Sequence, residues 1–264
     1  MLLTSLVLNA LLLIATMAAF LTMRKYRQRL YVCEGRELAP AIPLVSLGQF
    51  DDAFESGEHG PTRATEVHFI GNGDGVPGGT TEREAWILAV LAKRASRLFE
   101  FGTCTGRTTY LWARNSPPDA HIATITLTPD EADEYRHEGG DSRRALQTAR
   151  LESRYTRFMY SGAPAEEKVE QLFGDSKELD ERPFAADCDL VFVDGSHAYS
   201  YVKSDSEKAL EMVAPGGVVL WHDYKGPNSD AEGVFRYLNE LARELDLVQL
   251  QGTNLVAYRA PVDG

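Results

Sequence analysis

Hydrophobic and polar positions follow three different patterns along the chain. From Leu2 to Met23 no residue is charged, and Leu, Ile, Val, Ala, Met and Phe dominate. At about 1.5 Å rise per residue, a helix of that length spans roughly 30 Å, the thickness of a bilayer core. Residues 31–80 have no period: Pro40, Pro43, the acidic stretch Asp51–Glu58 and the glycine-rich Gly71–Gly79 interrupt any regular element. This stretch reads as a linker that becomes a cover. From residue 81 onward, short apolar runs alternate with helical patterns.

Thr81-Glu82-Arg83-Glu84 has the form of a capping box, in which a threonine oxygen and a glutamate three residues later cap each other's backbone. It predicts a helix over Glu82–Lys93, with further helical patterns at Thr108–Arg114, Tyr199–Met212 and Asp230–Leu245. Apolar runs predict seven strands: Arg97–Phe101, His121–Leu127, Lys168–Phe173, Asp187–Asp194, Gly217–His222, Leu247–Gln251 and Thr253–Arg259. Buried strands alternating with helices imply an α/β fold, a doubly wound, mostly parallel sheet covered on both faces. The last two runs are separated by Gly252 alone, which predicts a terminal antiparallel pair. The chain thus divides into an apolar head with its collar (1–30), a linker and cover (31–80), and an α/β body (81–264).

Charge sharpens this division. The formal net charge is −12, yet the first 30 residues hold four basic side chains, Arg24, Lys25, Arg27 and Arg29, and no acidic one. The rest holds 23 basic and 39 acidic residues, a net of −16. Clustered positive charge is what phosphate contacts require, so nucleic acid is not the body's partner. No basic residue precedes the apolar head, which argues against a cleaved signal peptide. The basic collar follows it, so the positive-inside rule predicts a single-pass membrane anchor with the body in the cytoplasm. The other reading of the head is a buried helix of the body. Three widely spaced cysteines, Cys33, Cys104 and Cys188, suit a reducing compartment.

In a doubly wound sheet, ligands bind beyond the carboxyl ends of the strands. There stands Glu100-Phe101-Gly102-Thr103-Cys104-Thr105-Gly106, an acid followed by a glycine turn into a helix. Its G-x-x-x-G spacing is neither the dinucleotide fingerprint nor a P-loop. A carboxylate at Glu100 repels phosphate and suits a ligand with a positive amino group. The bland reading is a tight strand–helix turn. Further along, Asp194 ends one strand and His222-Asp223 ends the next. Two carboxylates in one cleft share a proton or bind a cation, unless one merely caps the following helix. His197, three residues after Asp194, is either a base for a hydroxyl proton or a structural histidine.

The stretch Phe99–Trp112 resembles the first motif of the class I S-adenosylmethionine-dependent methyltransferases. Gly79–Leu91, Gly174-Asp175-Ser176, Asp194-Gly195-Ser196-His197-Ala198-Tyr199 and Pro215-Gly216-Gly217…Trp221-His222-Asp223-Tyr224 follow in that family's order. Over roughly residues 78–260 the pattern is similar to the subgroup related to cephalosporin hydroxylase, macrocin O-methyltransferase and, more distantly, catechol O-methyltransferase. The resemblance implies a Rossmann-like sheet and S-adenosyl-L-methionine as cofactor. It implies that Gly102, Thr103 and Gly106 line the methionine part, that Glu100 lies near its charged end, and that Asp175 and Ser176 meet the adenine. Where the family has a ribose-binding acid, this chain has Thr126, which makes one neutral hydrogen bond in place of two charge-assisted ones.

The same resemblance implies a divalent metal, magnesium or manganese, at Asp194, His222 and Asp223, and a general base at His197. Magnesium prefers oxygen ligands, so His222 leaves three options: a softer metal, a histidine that is not a ligand, or a metal-free site with His222 as base. The leading expectation is a membrane-anchored O-methyltransferase acting on a hydroxyl of a small molecule or glycan. The alternatives are a catalytically degenerate binding module, which Thr126 favours, and a metal-dependent hydroxylase or hydrolase, which His222-Asp223 favours. Acceptor selectivity is expected in residues 45–80 and in the charged insertion Glu131–Glu167, read as mobile around Gly139-Gly140.

Overall fold

A computed structural model describes residues 16–17, 42–71, 73, 75–133, 135, 138–227 and 229–262. The chain separates at Ala41 into two units, and the description below is of the second, which begins at Ile42. The expected membrane span Leu2–Met23 and its collar Arg24–Arg29 lie outside the described residues, apart from Thr16 and Met17, which are helical. Among the described residues, no helix is long and apolar enough to cross a membrane.

The body is built on one sheet. In chain order its strands are β1 (Leu44–Val45), β4 (Arg97–Phe101), β5 (His121–Thr126), β6 (Val169–Phe173), β7 (Cys188–Val193), β8 (Val213–Trp221), β9 (Val248–Leu250) and β10 (Val256–Arg259). A separate small hairpin is formed by β2 (Ser56–Gly57) and β3 (Gly60–Pro61). The strand order is β1-β9-β10-β8-β7-β4-β5-β6. The five strands from β8 to β6 run parallel to their neighbours, and β10 pairs antiparallel with both β8 and β9. The expected seven strands are present, and an eighth is added. Residues Pro43–Val45 of the cover segment dock on β9, where Gln249 N donates to Pro43 O and Gln251 N to Val45 O. An unpaired sheet edge invites pairing with other chains, and the cover occupies this one.

Alternation along the strands sorts the core into two layers. Leu98, Ile122, Leu190, Phe192 and Leu220 face one side, against the Glu82–Ala92 and Arg107–Asn115 helices. Phe99, Phe101, Val191, Val193 and Trp221 face the other, against the Tyr199–Met212 and Glu232–Leu241 helices. The Glu82–Ala92 helix starts as the sequence predicts: Thr81 Oγ1 accepts from Glu84 N, and Glu84 Oε2 accepts from Thr81 N at 2.8 Å. Period-2 alternation sends Glu100 to the first side, beneath the Arg107–Asn115 helix. This is why a strand-end acid finishes in the interior.

Among its described residues, the insertion packs a helix against the body. An Arg143–Glu152 helix buries Ala145 and Ala149 against Tyr135 and Tyr201. Tyr135 and Tyr201 stack with centroids 4.7 Å apart, and Lys177 lies over the Tyr201 ring at 4.3 Å. The last residue of this helix, Glu152, reaches the cleft. The cover is tied down by Arg107, whose guanidinium donates to Ile70 O at 2.9 Å and Thr80 Oγ1 at 2.7 Å.

Candidate functional site

Two connected spaces lie beyond the carboxyl ends of the parallel strands. The first, of about 510 Å³, is walled by the ends of β4, β5, β6 and β7 at Gly102, Thr126, Gly174 and Asp194. The second, of about 650 Å³, lies under Gly78 and Gly79 of the cover and holds His197, His222, Asp223 and Lys225. Gly102, Cys104, Glu152 and Asp194 line both.

The glycine turn is required by close approach. Gly102 has φ +99°, and a Cβ there would lie 2.3 Å from Asp194 O. Gly106 has φ +74°, and its Cβ would press on Phe158 and Tyr160 at 2.8 Å. Any side chain at either place would force the β4 loop away from its neighbours. Thr103 is buried, with its hydroxyl 2.8 Å from that of Thr124 and accepting from Gln171 Nε2 at 3.2 Å, so it shapes the turn from beneath.

Glu100 does not carry the charge expected of it. Its Oε2 accepts from the hydroxyls of Thr109 and Thr124, with the Thr124 contact at 2.8 Å. Burial pushes its pKa up to about 8, and the two threonine hydroxyls only partly oppose this. The carboxyl is therefore neutral near pH 7 and braces the helix against the sheet. In this state it ties the helix to the sheet while also lining the second space.

At the β5 end, Thr126 lines the first space as expected and is nearly buried. At the β6 end, Gly174 and Ser176 line it too. Asp175 instead accepts from Lys177 N at 3.0 Å and from the Tyr201 hydroxyl at 2.9 Å, which turns its carboxylate onto the wall. A further acid stands in this space. Asp205, from the Tyr199–Met212 helix, is 1% exposed, and its Oδ1 has no hydrogen-bond partner. The cofactor implied by the sequence fits here: four strand ends converge, the glycine turn leaves room, and an unpaired buried acceptor awaits a donor.

In the second space the expected metal ligands come together. One donor atom each from Asp194, His222 and Asp223 lie within 4.8 Å of one another. Ion pairs already link them, while Asp223 Oδ1 is buried with no hydrogen-bond partner. His222 Nδ1 lies 2.9 Å from Asp194 Oδ1 and 3.4 Å from Asp223 Oδ1, while Nε2 faces Glu84 Oε2 at 3.3 Å. Burial disfavours charge on His222, but Asp194, Glu84 and Asp223 outweigh it and hold the pKa well above 6.5. Asp223 takes His197 Nε2 at 2.6 Å and Lys225 Nζ at 2.7 Å. Burial alone would raise the Asp223 pKa, yet these partners push it well below the ordinary carboxylate value. Two side-chain cations, His222 and Lys225, thus set positive charge against the carboxylates that a dication would need. As placed, the charged His222 faces carboxylates at both ring nitrogens and stands where a divalent metal would otherwise balance Asp194 and Asp223.

His197 differs from His222. It is buried, Nε2 donates to Asp223, and Nδ1 has no hydrogen-bond partner. Burial disfavours its charged form, but the Asp223 hydrogen bond and charge prevail and lift its pKa above 6.5. Asp223 itself is held in the left-handed region at φ +61°, with Lys225 N donating to its carbonyl at 2.7 Å. That backbone twist turns its side chain toward His197.

Four residues of the site were missed in the sequence. Glu84 was read only as a helix cap, yet it also binds Asn254 N at 2.8 Å and faces His222, and its pKa is held near 2: burial opposes this, but the His222 hydrogen bond and charge outweigh burial. Glu152 sits in an insertion without a motif; burial pushes its pKa up to about 7. Lys225 directly follows the β8 motif, which ends at Tyr224. Asp205 had a readable signal: with Ser206 it interrupts the buried stripe Tyr201, Val202, Ala209 and Met212, where an acid is costly.

Residues 99–224 match a protein family described as a methyltransferase domain. No curated protein sequence matches the chain. Among solved structures, a cofactor-bound protein from MTB is 20% identical, covers 80% of this chain and 96% of its own, and superposes with a TM-score of 0.50. The O-methyltransferase TomG from Streptomyces achromogenes, involved in tomaymycin synthesis and solved with SAM, is 24% identical over 69% of this chain and 82% of its own, with a TM-score of 0.46. An O-methyltransferase from Bacillus cereus, solved with SAH, is 18% identical over 70% and 84%, with a TM-score of 0.47. The likeness to the MTB protein bears on the fold alone.

Proposed function

We propose, from the premise that this chain is a class I S-adenosylmethionine-dependent methyltransferase, that it methylates a hydroxyl group of a small molecule or glycan without a divalent metal. The observation that carries this reading is the His197–Asp223 pair: His197 lines the space adjoining the cofactor cavity, and its Nδ1 is buried without a hydrogen-bond partner.

The cofactor, when bound, supplies an electrophilic methyl group on a sulfonium sulfur. Gly102 and Gly106 keep the backbone clear of its methionine part, and Thr126 and Ser176 face its nucleoside part. His197 Nδ1 takes the proton from the acceptor hydroxyl while Nε2–H stays bonded to Asp223. Asp223 fixes the ring orientation and stabilises the imidazolium that results, and it is itself held by Lys225. His222, charged and set between Asp194 and Glu84, occupies the place where a cation is needed among the carboxylates. Cover residues Gly78 and Gly79 close the cleft above, which restricts water at the moment of transfer.

The methyltransferase-domain match over residues 99–224 supports the transfer chemistry, and a buried base beside the cofactor cavity supports a hydroxyl as acceptor, since a hydroxyl must lose its proton on methylation. Titration of the full chain with S-adenosylhomocysteine, together with a search for methyl transfer to hydroxylated compounds, tests the reading. Binding weaker than millimolar would overturn it and favour a degenerate module.

The uncharged Leu2–Met23 stretch followed by Arg24–Arg29 supports a membrane anchor that brings the body to the cytoplasmic face, and so to acceptors near that surface. Recovery of the full chain in the soluble fraction, without detergent, would remove this part of the proposal.

A further inference from the structure

The body's excess of acids, 39 against 23 basic residues, hides a local reversal. Residues 143–157 hold five arginines, Arg143, Arg144, Arg150, Arg154 and Arg157, against one acid, Glu152. The Arg143–Glu152 helix keeps the two signs apart. At about 100° per residue, Arg143, Arg144, Arg150 and Leu151 fall on one exposed stripe, while Ala145 and Ala149 are buried on the opposite side. Glu152 turns away from the stripe and lines both spaces of the cleft. Just beyond the helix, Arg154, Arg157 and Met159 are exposed too. Among the described residues, no acidic side chain pairs with Arg143, Arg144, Arg154 or Arg157. Leu151 and Met159, 46% and 44% exposed, stand among these charges. None of these side chains lines either space of the cleft, so the stripe suits an extended anionic surface and not a small anion in a pocket.

We propose that this stripe docks the body on an anionic lipid bilayer, with the arginines at the headgroup phosphates and Leu151 and Met159 among the upper acyl chains. Basic and exposed aliphatic side chains together on one helix face are the composition of a segment that lies in a membrane interface. Each arginine near an anionic surface adds to the attraction, which dies away within a Debye length, so the stripe must make contact. A nucleic-acid backbone would meet the arginines and leave the aliphatic side chains without a partner. The uncharged Leu2–Met23 stretch and its collar Arg24–Arg29 give a second reason to choose lipid. That choice leans on the anchor reading above, whereas the charge of the stripe does not, and neither depends on methyl transfer. Thr148, Ala149 and Glu152 of the same helix wall the cleft, so docking holds that wall near the lipid surface, beside acceptors carried in the leaflet.

The test is hydrogen exchange of the full chain on vesicles of phosphatidylcholine alone and of phosphatidylcholine mixed equally with phosphatidylserine. Two variants are compared with the wild type: Arg143, Arg144, Arg154 and Arg157 all replaced by Gln, and the same four replaced by Lys. In the wild type, backbone amides of residues 143–159 are expected to exchange at least about fivefold more slowly on the mixed vesicles than on the neutral ones. High salt and the Gln variant should abolish the difference, and the Lys variant should keep it, which a merely misfolded helix would not do. Equal exchange on both vesicles overturns the proposal, and so does slowing that survives in the Gln variant. Stronger protection by duplex DNA than by mixed vesicles, at equal phosphate, overturns it in favour of nucleic acid. Flotation on neutral vesicles reads the apolar head alone, so its failure overturns the anchor reading and leaves the exchange result to decide the stripe.

Discussion

His197 Nε2 lies 2.6 Å from Asp223 Oδ2, and the opposite ring nitrogen of His197 is buried without a hydrogen-bond partner. A buried imidazole held at one nitrogen and open at the other is oriented to remove a proton, with the carboxylate stabilising the charge that forms. Replacing His197 by Ala is expected to lower kcat by about a hundredfold or more, within the span that general base catalysis contributes. Affinity for S-adenosylhomocysteine should stay within about threefold, since His197 lies outside the cofactor cavity. Transfer rates and titration on the same preparation check this. A variant with near wild-type kcat would remove His197 from the reaction.

The pH profile follows from the same pair. The Asp223 carboxylate and nearby Glu152 and Asp194 hold the His197 pKa above 6.5, against burial. A base works only when unprotonated, so kcat/KM is expected to fall on the acidic side with a limb above that ordinary value. Asp223→Asn removes the main stabiliser of the charged form and should move the limb to lower pH while lowering kcat. Profiles of the two proteins over pH 5 to 10 decide the matter: a limb that does not move with Asp223→Asn assigns it to another group.

Metal dependence separates two chemistries. Asp194, His222 and Asp223 are brought together, but His222 and Lys225 already set positive charge against the carboxylates. Exhaustive chelation should leave S-adenosylhomocysteine affinity and transfer rate unchanged within about twofold, a difference of under 0.5 kcal/mol. A large loss restored by magnesium or manganese would show that the cation displaces these side chains.

What the sequence revealed, and what it hid, follows from contact distance. Strand-end logic places Asp194, His222 and Asp223 correctly because each lies beside its own strand, and neighbouring parallel strands must bring their ends together. The β4 glycine turn is legible for the same local reason. Glu84 is half legible: the capping box is read within four residues, while its tie to His222 spans 138. Glu100 misleads because a strand-end position says nothing about which face alternation selects. Leu44–Val45 is invisible as a strand, since two residues carry no period and the strand exists only by pairing with β9.

Glu100 gives a stability prediction with a definite sign. Its carboxyl titrates near the ordinary glutamate value of 4.5 when unfolded and at about 8 when folded. The folded state therefore prefers the protonated form, and this contribution is complete below pH 4.5 and is lost as pH rises through 8. Across that interval the loss amounts to roughly 1.4 kcal/mol for each step of one in pH. Glu100→Gln keeps an acceptor for Thr109 and Thr124 and removes the titration. It should match the wild type at pH 5 and exceed it in melting temperature at pH 9. An equal difference at both pH values would mean that Glu100 is not the titrating group.

Thr126 offers a gain of function at the other end of the cavity. It ends β5, is nearly buried, and lines the space assigned to the nucleoside. A hydroxyl offers the ribose one neutral hydrogen bond, whereas a carboxylate accepts two charge-assisted ones, each worth about 1.5–3 kcal/mol. Against this, a new charge beside Glu152 and Asp205 incurs desolvation and repulsion. The pairing outweighs these terms only when a diol is present, because the repulsion acts in the free protein too. Thr126→Asp is therefore expected to lower the ligand-free melting temperature and yet bind S-adenosylhomocysteine about tenfold more tightly. The 2′,3′-dideoxy analogue isolates the cause: its affinity should not improve. Tighter binding of both ligands, or of neither, would place the ribose elsewhere in the cavity.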